Sequence, residues 1–262
     1  MRIALGVEYD GYRYNGWQVQ RHAPSIQATL EHALSRVADH PVTVTCAGRT
    51  DAGVHALGQV VHFDTEARRS MHGWCLGATT HLPGDVAVRW AREVDESFSA
   101  RFSALARSYR YVLLNRPVRP GLWHGRIGWT WKPLDHSLMQ RGADHLLGEH
   151  DFSSFRSIEC QARHARRQIH TLTVQRAGDL VYIDICANAF LHHMVRIIVG
   201  TLILVGSGER HPDWVARVLD AQERVRAGPT AVAHGLYLVA VTYPVAMGLP
   251  QPPPPPRFAE SG

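Results

Sequence analysis

Apolar and polar residues follow one another along this chain in patterns that predict alternating strands and helices. Residues 2–9 (RIALGVEY) read as a mostly apolar opening strand, followed by a turn-rich stretch over Asp10–Gly16. Ser25 is placed as an N-cap, and Ile26, Leu30, Ala33, Leu34 and Val37 recur at helical spacing on one face. Val42-Thr43-Val44-Thr45-Cys46 alternates with period two, which predicts a half-buried strand. Gly58–Phe63 and Val86–Val94 are further strand candidates.

The second half uses the same grammar. Tyr109–Leu114 reads as a strand, and Asp135–Leu147 as a helix stopped by Gly148. Ile169–Gln175 and Leu180–Ala187 read as strands joined by an Ala177-Gly178-Asp179 turn. A very apolar helix is predicted over Leu191–Val205, ended by Gly206-Ser207-Gly208; a short one spans Pro212–Ala221, and Leu236–Tyr243 is a last strand. The order strand–helix–strand–strand recurs on either side of about residue 105. The expected organisation is therefore an N-terminal α/β half over 1–105, a C-terminal α/β half over 106–245, and a tail over 246–262. Five consecutive prolines, Pro252–Pro256, make that tail an extended polyproline segment without internal hydrogen bonds, expected to be disordered.

Composition narrows the class of protein. The chain has 262 residues, enough for one or two domains and for burial of roughly 70–75% of the unfolded surface. Hydrophobic content of 45% and charged content of 19% mark a globular protein, not a disordered one. The opening MRIALGVEYD meets acids by residue 8, so no signal peptide is expected. The most apolar stretch, Met194–Val205, is interrupted by Arg196 and is shorter than the ~20 residues of a membrane span. Cys46, Cys75, Cys160 and Cys186 show no CxxC spacing, which argues against a zinc or disulfide framework. A cytoplasmic protein is expected.

Charge adds one more feature. Lys132 is the only lysine beside 27 arginines, an excess that a GC-rich coding bias explains better than anion recognition does. Its distribution is less neutral: residues 101–176 hold 13 basic and 5 acidic residues, densest at Arg163-His164-Ala165-Arg166-Arg167. Such an imbalance suits a face that meets phosphates.

Residues 46–65, CAGRTDAGVHALGQVVHFDT, carry the candidate chemistry. Ala47–Gly53 lies between two strand patterns and so forms a loop at the end of a sheet, where catalytic groups tend to sit. Two glycines let the backbone approach a ligand or take positive φ. Arg49, Thr50 and Asp51 set a cation, a hydroxyl and a carboxylate side by side. The same residues read equally well as an Asx-type turn, with Asp51 bonded to its own backbone. His192-His193 suggests a metal only weakly, because adjacent residues do not share a helix face.

The stretch AGRTDAGVHALGQVVHF resembles the signature loop of the tRNA pseudouridine synthase A family. Six more segments agree in order: EYDGYRYNGWQ, LPGDVAVRW, ARFSALARSYRY, LLGEHDFSSFR, NAFLHHMVRIIVG and GLYLVAV. The resemblance covers about residues 2–245; QARHARRQI after Cys160 departs from the proline-containing pattern, and the tail lies outside it. It implies an α/β fold of two similar halves whose sheets join into one extended, mainly antiparallel platform flanked by helices. It implies isomerisation of uridine to pseudouridine at positions 38, 39 and 40 of the tRNA anticodon arm. No cofactor is needed, because the reaction returns every atom it takes. It also implies a homodimer with a basic cleft between the halves.

Residue by residue, the resemblance places the catalytic aspartate at Asp51 and the aromatic partner of the target base at Tyr109. Arg196 is implied to pair with the carboxylate, an attractive role for an arginine in an apolar helix. Leu236 is implied to line the pocket, and Arg49 to be associated with RNA entry and base extrusion. Two rival classes are a stem-loop-binding module without catalysis and a different RNA-acting enzyme. The first has no need of Asp51. A nuclease generally needs a metal site, and a glycosidase a second positioned carboxylate.

Overall fold

The opening strand β1 (Arg2–Tyr9) is buried along most of its length, which explains why its pattern is a run and not an alternation. The computed structural model describes residues 1–258. Then come α1 (Ile26–Ala38), β2 (Thr45–Cys46), β3 (His55–Asp64), α2 (Met71–His81), β4 (Val86–Val94), β5 (Ala106–Asn115) and β6 (Gly128–Thr130). The chain continues through α3 (His136–Asp144), β7 (Gly148–Asp151), β8 (Arg166–Ala177), β9 (Leu180–Ala187), α4 (Met194–Gly206), α5 (Trp214–Ala221) and β10 (Leu236–Thr242). Ten strands, mostly antiparallel, and five α-helices among the described residues give the α/β class read from the sequence.

The chain divides into two units: Met1–Arg107 with Tyr237–Pro255, and Ser108–Leu236 with the residues from Pro256 onward. The strand β10 of the first unit runs parallel to β3, with Tyr237 opposite His55 and Leu238 opposite Ala56. In the first unit β1 lies antiparallel between β3 and β4, and β2 pairs with β3. Ser25 caps α1 by accepting from Ala28 N–H, and Ile26, Leu30, Ala33, Leu34 and Ala38 face the core, while Val37 is half-buried. The Val42–Cys46 pattern does alternate in burial, yet only Thr45 and Cys46 pair as a strand.

The helix α2 has no hydrophobic period that announces it, and Gly73 and Gly77 disfavour it locally. Tertiary packing overrides this. Ser70 Oγ accepts from Gly73 N–H at 3.0 Å. The fully buried Trp74 meets Phe63 edge-on at 5.1 Å. A Cβ on Gly77 would stand 3.0 Å from Val37, so the glycine permits α1 and α2 to approach.

His62, on β3, accepts the Ala100 N–H through Nδ1 at 3.0 Å. Burial lowers its pKa, the Arg2 charge adds to this, and Asp64 opposes it. The folded value thus lies below the unfolded one, about 6.5. The stabilisation is complete above that pH and is lost as pH falls through the folded pKa. His62→Gln is expected to lose less stability than the parent between pH 7 and 5, read from urea midpoints; parallel losses would refute this.

In the second unit β8 and β9 form the expected hairpin around Gly178-Asp179, with a bulge between Ile169 and Thr171. The strand β7 lies beside β8, and β6 runs parallel to β5. The helix α3 is shorter than the pattern implied. Asp135 is its N-cap, it ends at Asp144, and Gly148 at φ +92° opens β7. The helix α4 begins at Met194, later than expected, because His193 sits at φ +61°. No helix of the described residues is long and apolar enough to cross a membrane.

Candidate active site

The loop from Ala47 to Val54 joins β2 to β3 and is held by residues from three places. Ala47 N–H donates to Val60 O at 2.8 Å, and Gln59 Nε2 donates to Gly48 O at 2.7 Å. The hydroxyls of Thr50 and Tyr9 meet at 2.8 Å in a buried position. Thr50 O accepts from Trp17 N–H at 3.0 Å, and Gly53 N–H donates to Tyr14 O at 3.2 Å. Val54 N–H closes the turn onto Asp51 O at 3.1 Å, with Gly53 at φ +79°. A Cβ on Gly16 would lie 2.6 Å from Thr50 O, so the segment EYDGYRYNGWQ can sit against the loop only with glycine there.

This clamp leaves Asp51 half-buried and Arg49 exposed. Asp51 is thus presented on a backbone fixed on both sides, the preorganisation that a reacting carboxylate needs. Cys46, just before the loop, is no competing nucleophile: burial pushes its thiol up to about 12, against the pull of Arg49 and Arg101. Arg107 also shapes this region, donating to the carbonyls of Ala47, Arg101 and Ala104 at 3.0, 2.7 and 3.2 Å. The supporting residues Tyr9, Tyr14, Trp17, Gln59 and Arg107 were not among the sequence-derived site residues. The only signal for Gln59 was a fully buried amide within the apolar run of β3.

Tyr109, Arg196 and Leu236 belong to the second unit. Tyr109, on β5, is buried and meets Phe190 edge-on at 5.0 Å. Arg196, in the first turn of α4, is half-buried. Its Nε donates to Ala231 O at 2.8 Å, while Ala231 N–H donates to Arg196 O at 3.0 Å. That reciprocal pair ties the arginine to the segment preceding β10, whose first residue, Leu236, is buried. Burial raises the Tyr111 phenol, and the Arg196 charge pulls against it.

The close approach that allows this pairing depends on Gly200. A Cβ there would fall 1.8 Å from Pro229 O, and one on Gly228 2.7 Å from Thr201. Gly200→Ala is expected to cost about 2–3 kcal/mol by forcing helix and segment apart. A thermal melt within 1–2 °C of the parent's would show that the segment yields freely.

His192 and His193 differ from the sequence expectation. Both precede the regular turns of α4, and their rings lie tilted against each other with centroids 3.9 Å apart. The loop after Cys160, where the resemblance weakened, is wrapped around Arg156, which donates to Cys160 O and Ala162 O at 2.6 and 3.0 Å. Cys160 Sγ accepts from His192 N–H at 3.4 Å. Burial opposes ionisation of this thiol. Amide bonds from Ala162 and His192 and the Arg156 charge outweigh it, and the pKa is lowered.

The basic excess over 101–176 divides in two. Arg110 pairs with Asp184, Lys132 with Glu209, and Arg176 with Asn115 and the Leu134 carbonyl. Those charges serve the fold. Arg101, Arg119, Arg126, Arg141, Arg163 and Arg166 are exposed.

Comparison with known proteins matches this arrangement to one family. A family model described as tRNA pseudouridine synthase matches residues 6–103 and 143–244. The chain is 56% identical over 253 residues to the tRNA pseudouridine synthase A of Tolumonas auensis, covering 97% of each. It is 56% identical over 258 residues to the protein of that name from Legionella pneumophila strain Corby, covering 98% of each. The corresponding protein of Coxiella burnetii is 53% identical over 257 residues, again with 98% of each covered. The chain belongs to the tRNA pseudouridine synthase family.

Proposed function

We propose that this protein isomerises uridine to pseudouridine in tRNA, at positions 38, 39 and 40 of the anticodon arm, with Asp51 as its catalytic carboxylate. The observation that carries the reading is the clamped loop holding Asp51, in a chain that matches tRNA pseudouridine synthase A relatives over nearly its whole length. The reaction breaks the bond from ribose C1′ to uracil N1, turns the base, and rejoins it through C5. The C5 proton leaves, N1 gains a proton, and no electrons are exchanged.

An ionised carboxylate can add to C1′, add to C6, or remove the 2′ proton so that a glycal forms. In this reading Arg196 pairs with Asp51 and fixes its direction. Tyr109 offers a face for the uracil and a phenol to take or relay the C5 proton, Leu236 lines the pocket, and Arg49 meets the RNA as the base is extruded. The exposed arginines contact phosphates without reading bases. The protein acts in the cytoplasm as a homodimer.

The test is release of tritium from tRNA carrying 5-tritiated uridine in its anticodon arm, without added cofactor. Release is expected from the parent and not from Asp51→Ala. Release at equal rates by both, or by neither, would overturn the assignment.

A further inference from the structure

The segment Pro256 to Phe258 is seated on the second unit in a way that reads as recognition. Successive side chains of a strand point to opposite faces, so Arg110 lies on the face of β5 away from Tyr109. Arg110 is 7% exposed, an unusual burial for arginine. Its Nε and one terminal nitrogen donate to the two Asp184 oxygens, each at 2.7 Å. Its guanidinium carbon lies 4.8 Å from the Tyr182 ring centroid. The remaining terminal nitrogen donates to Pro256 O at 3.0 Å.

Tyr182 acts on the next anchor. Its hydroxyl donates to Phe258 O at 3.0 Å and accepts from Phe258 N–H at 3.2 Å, so one side chain satisfies both backbone groups of one tail residue. The Phe258 ring meets Trp123 edge-on at 5.6 Å. Proline-rich segments carry carbonyl acceptors without N–H donors and enter an interface already extended. The surfaces that bind them pair aromatic rings with outward donors, as this one does.

We propose that Arg110, Tyr182, Asp184 and Trp123 form a recognition site for a proline-rich peptide of the pattern Pro-x-Phe, whose resident occupant is the chain's own segment from Pro256 to Phe258. The site is separate from the isomerisation chemistry. Asp184 neutralises and aims the guanidinium, Tyr182 reads the backbone, and Trp123 selects an aromatic ring. A tail expected to be disordered is thereby anchored as far as Phe258.

The Arg257–Phe258 bond offers a direct readout, since trypsin cleaves after arginine and docking ties both backbone groups of Phe258. In the full-length protein, cleavage there, followed by mass spectrometry, is expected to be at least about tenfold slower than in a free peptide of residues 249–262. Phe258→Ala, by removing the ring that meets Trp123, and Tyr182→Phe, by removing hydrogen bonds worth about tenfold, are each expected to remove most of that protection. A labelled peptide of residues 249–262 is expected to bind full-length Phe258→Ala at least about tenfold more tightly than the parent, whose site is filled. Cleavage of the parent at the free-peptide rate, or equal peptide binding by parent and variant, would overturn the proposal. Protection that rises with protein concentration would overturn it too, by assigning the occupant to a second copy. Phe258→Ala changes only the tail, so the test stands even if Tyr182→Phe fails to fold.

Discussion

Asp51→Asn is expected to lower single-turnover tritium release by at least about 10⁴-fold while leaving the fold and tRNA affinity nearly unchanged. Asparagine matches aspartate in shape, and the loop is also held by contacts of its neighbours. Thr50 bonds Tyr9 and Trp17, Gly53 bonds Tyr14, and Gly48 bonds Gln59. In the proposed reaction the substitution removes the carboxylate oxygen that serves as nucleophile or base, and an amide does not replace it. Filter binding of unmodified tRNA is expected within about threefold of the parent, because phosphate contacts dominate affinity. A residual rate within tenfold of the parent would move the catalytic role elsewhere. An equal loss of rate and of affinity would point to a binding residue.

The second large effect concerns stability. Asp184→Ala is expected to destabilise the protein by about 3 kcal/mol, because it leaves the Arg110 guanidinium buried without its counter-ion. The side chains of Arg110 and Asp184 are 9% and 32% exposed, so the aspartate keeps some contact with water and the cost falls at the lower end of the range for broken buried pairs. Urea unfolding reads this as a lower midpoint with an unchanged slope. The double variant Arg110→Met with Asp184→Leu is expected to recover most of the loss, since it removes both charges and keeps apolar volume. A loss below about 0.5 kcal/mol in the single variant would mean that solvent reaches the guanidinium.

Particular elements explain what could be read from the sequence. The strand β1, the capped helix α1, the strand β4 and the β8–β9 hairpin follow from period, cap and turn residues within a few positions of one another. The helix α2 could not be read, because its support comes from Val37 and Phe63, outside its own sequence. β6 and β7 are three and four residues long, too short for a period to register.

The candidate site divides the same way. The loop 47–53 was legible from its glycines and its position between strands, and Asp51 from the resemblance. Its clamp was not, because Tyr9 and Trp17 lie more than 30 residues from Thr50 in sequence. The charge excess over 101–176 gave no means of separating structural arginines from exposed ones.

By itself the sequence determined most of the longer local elements, the loop that carries Asp51 and the family to which the chain belongs. Each depends on residue types at short spacing, where a side chain's preference acts on its own backbone. The tertiary structure decided that β10 joins the first unit beside β3, that Arg110 faces inward to Asp184, and that the proline tail is anchored by Tyr182. Those outcomes depend on which buried donors and acceptors meet across 70 to 180 residues of chain. Desolvated polar groups must find partners wherever the fold places them.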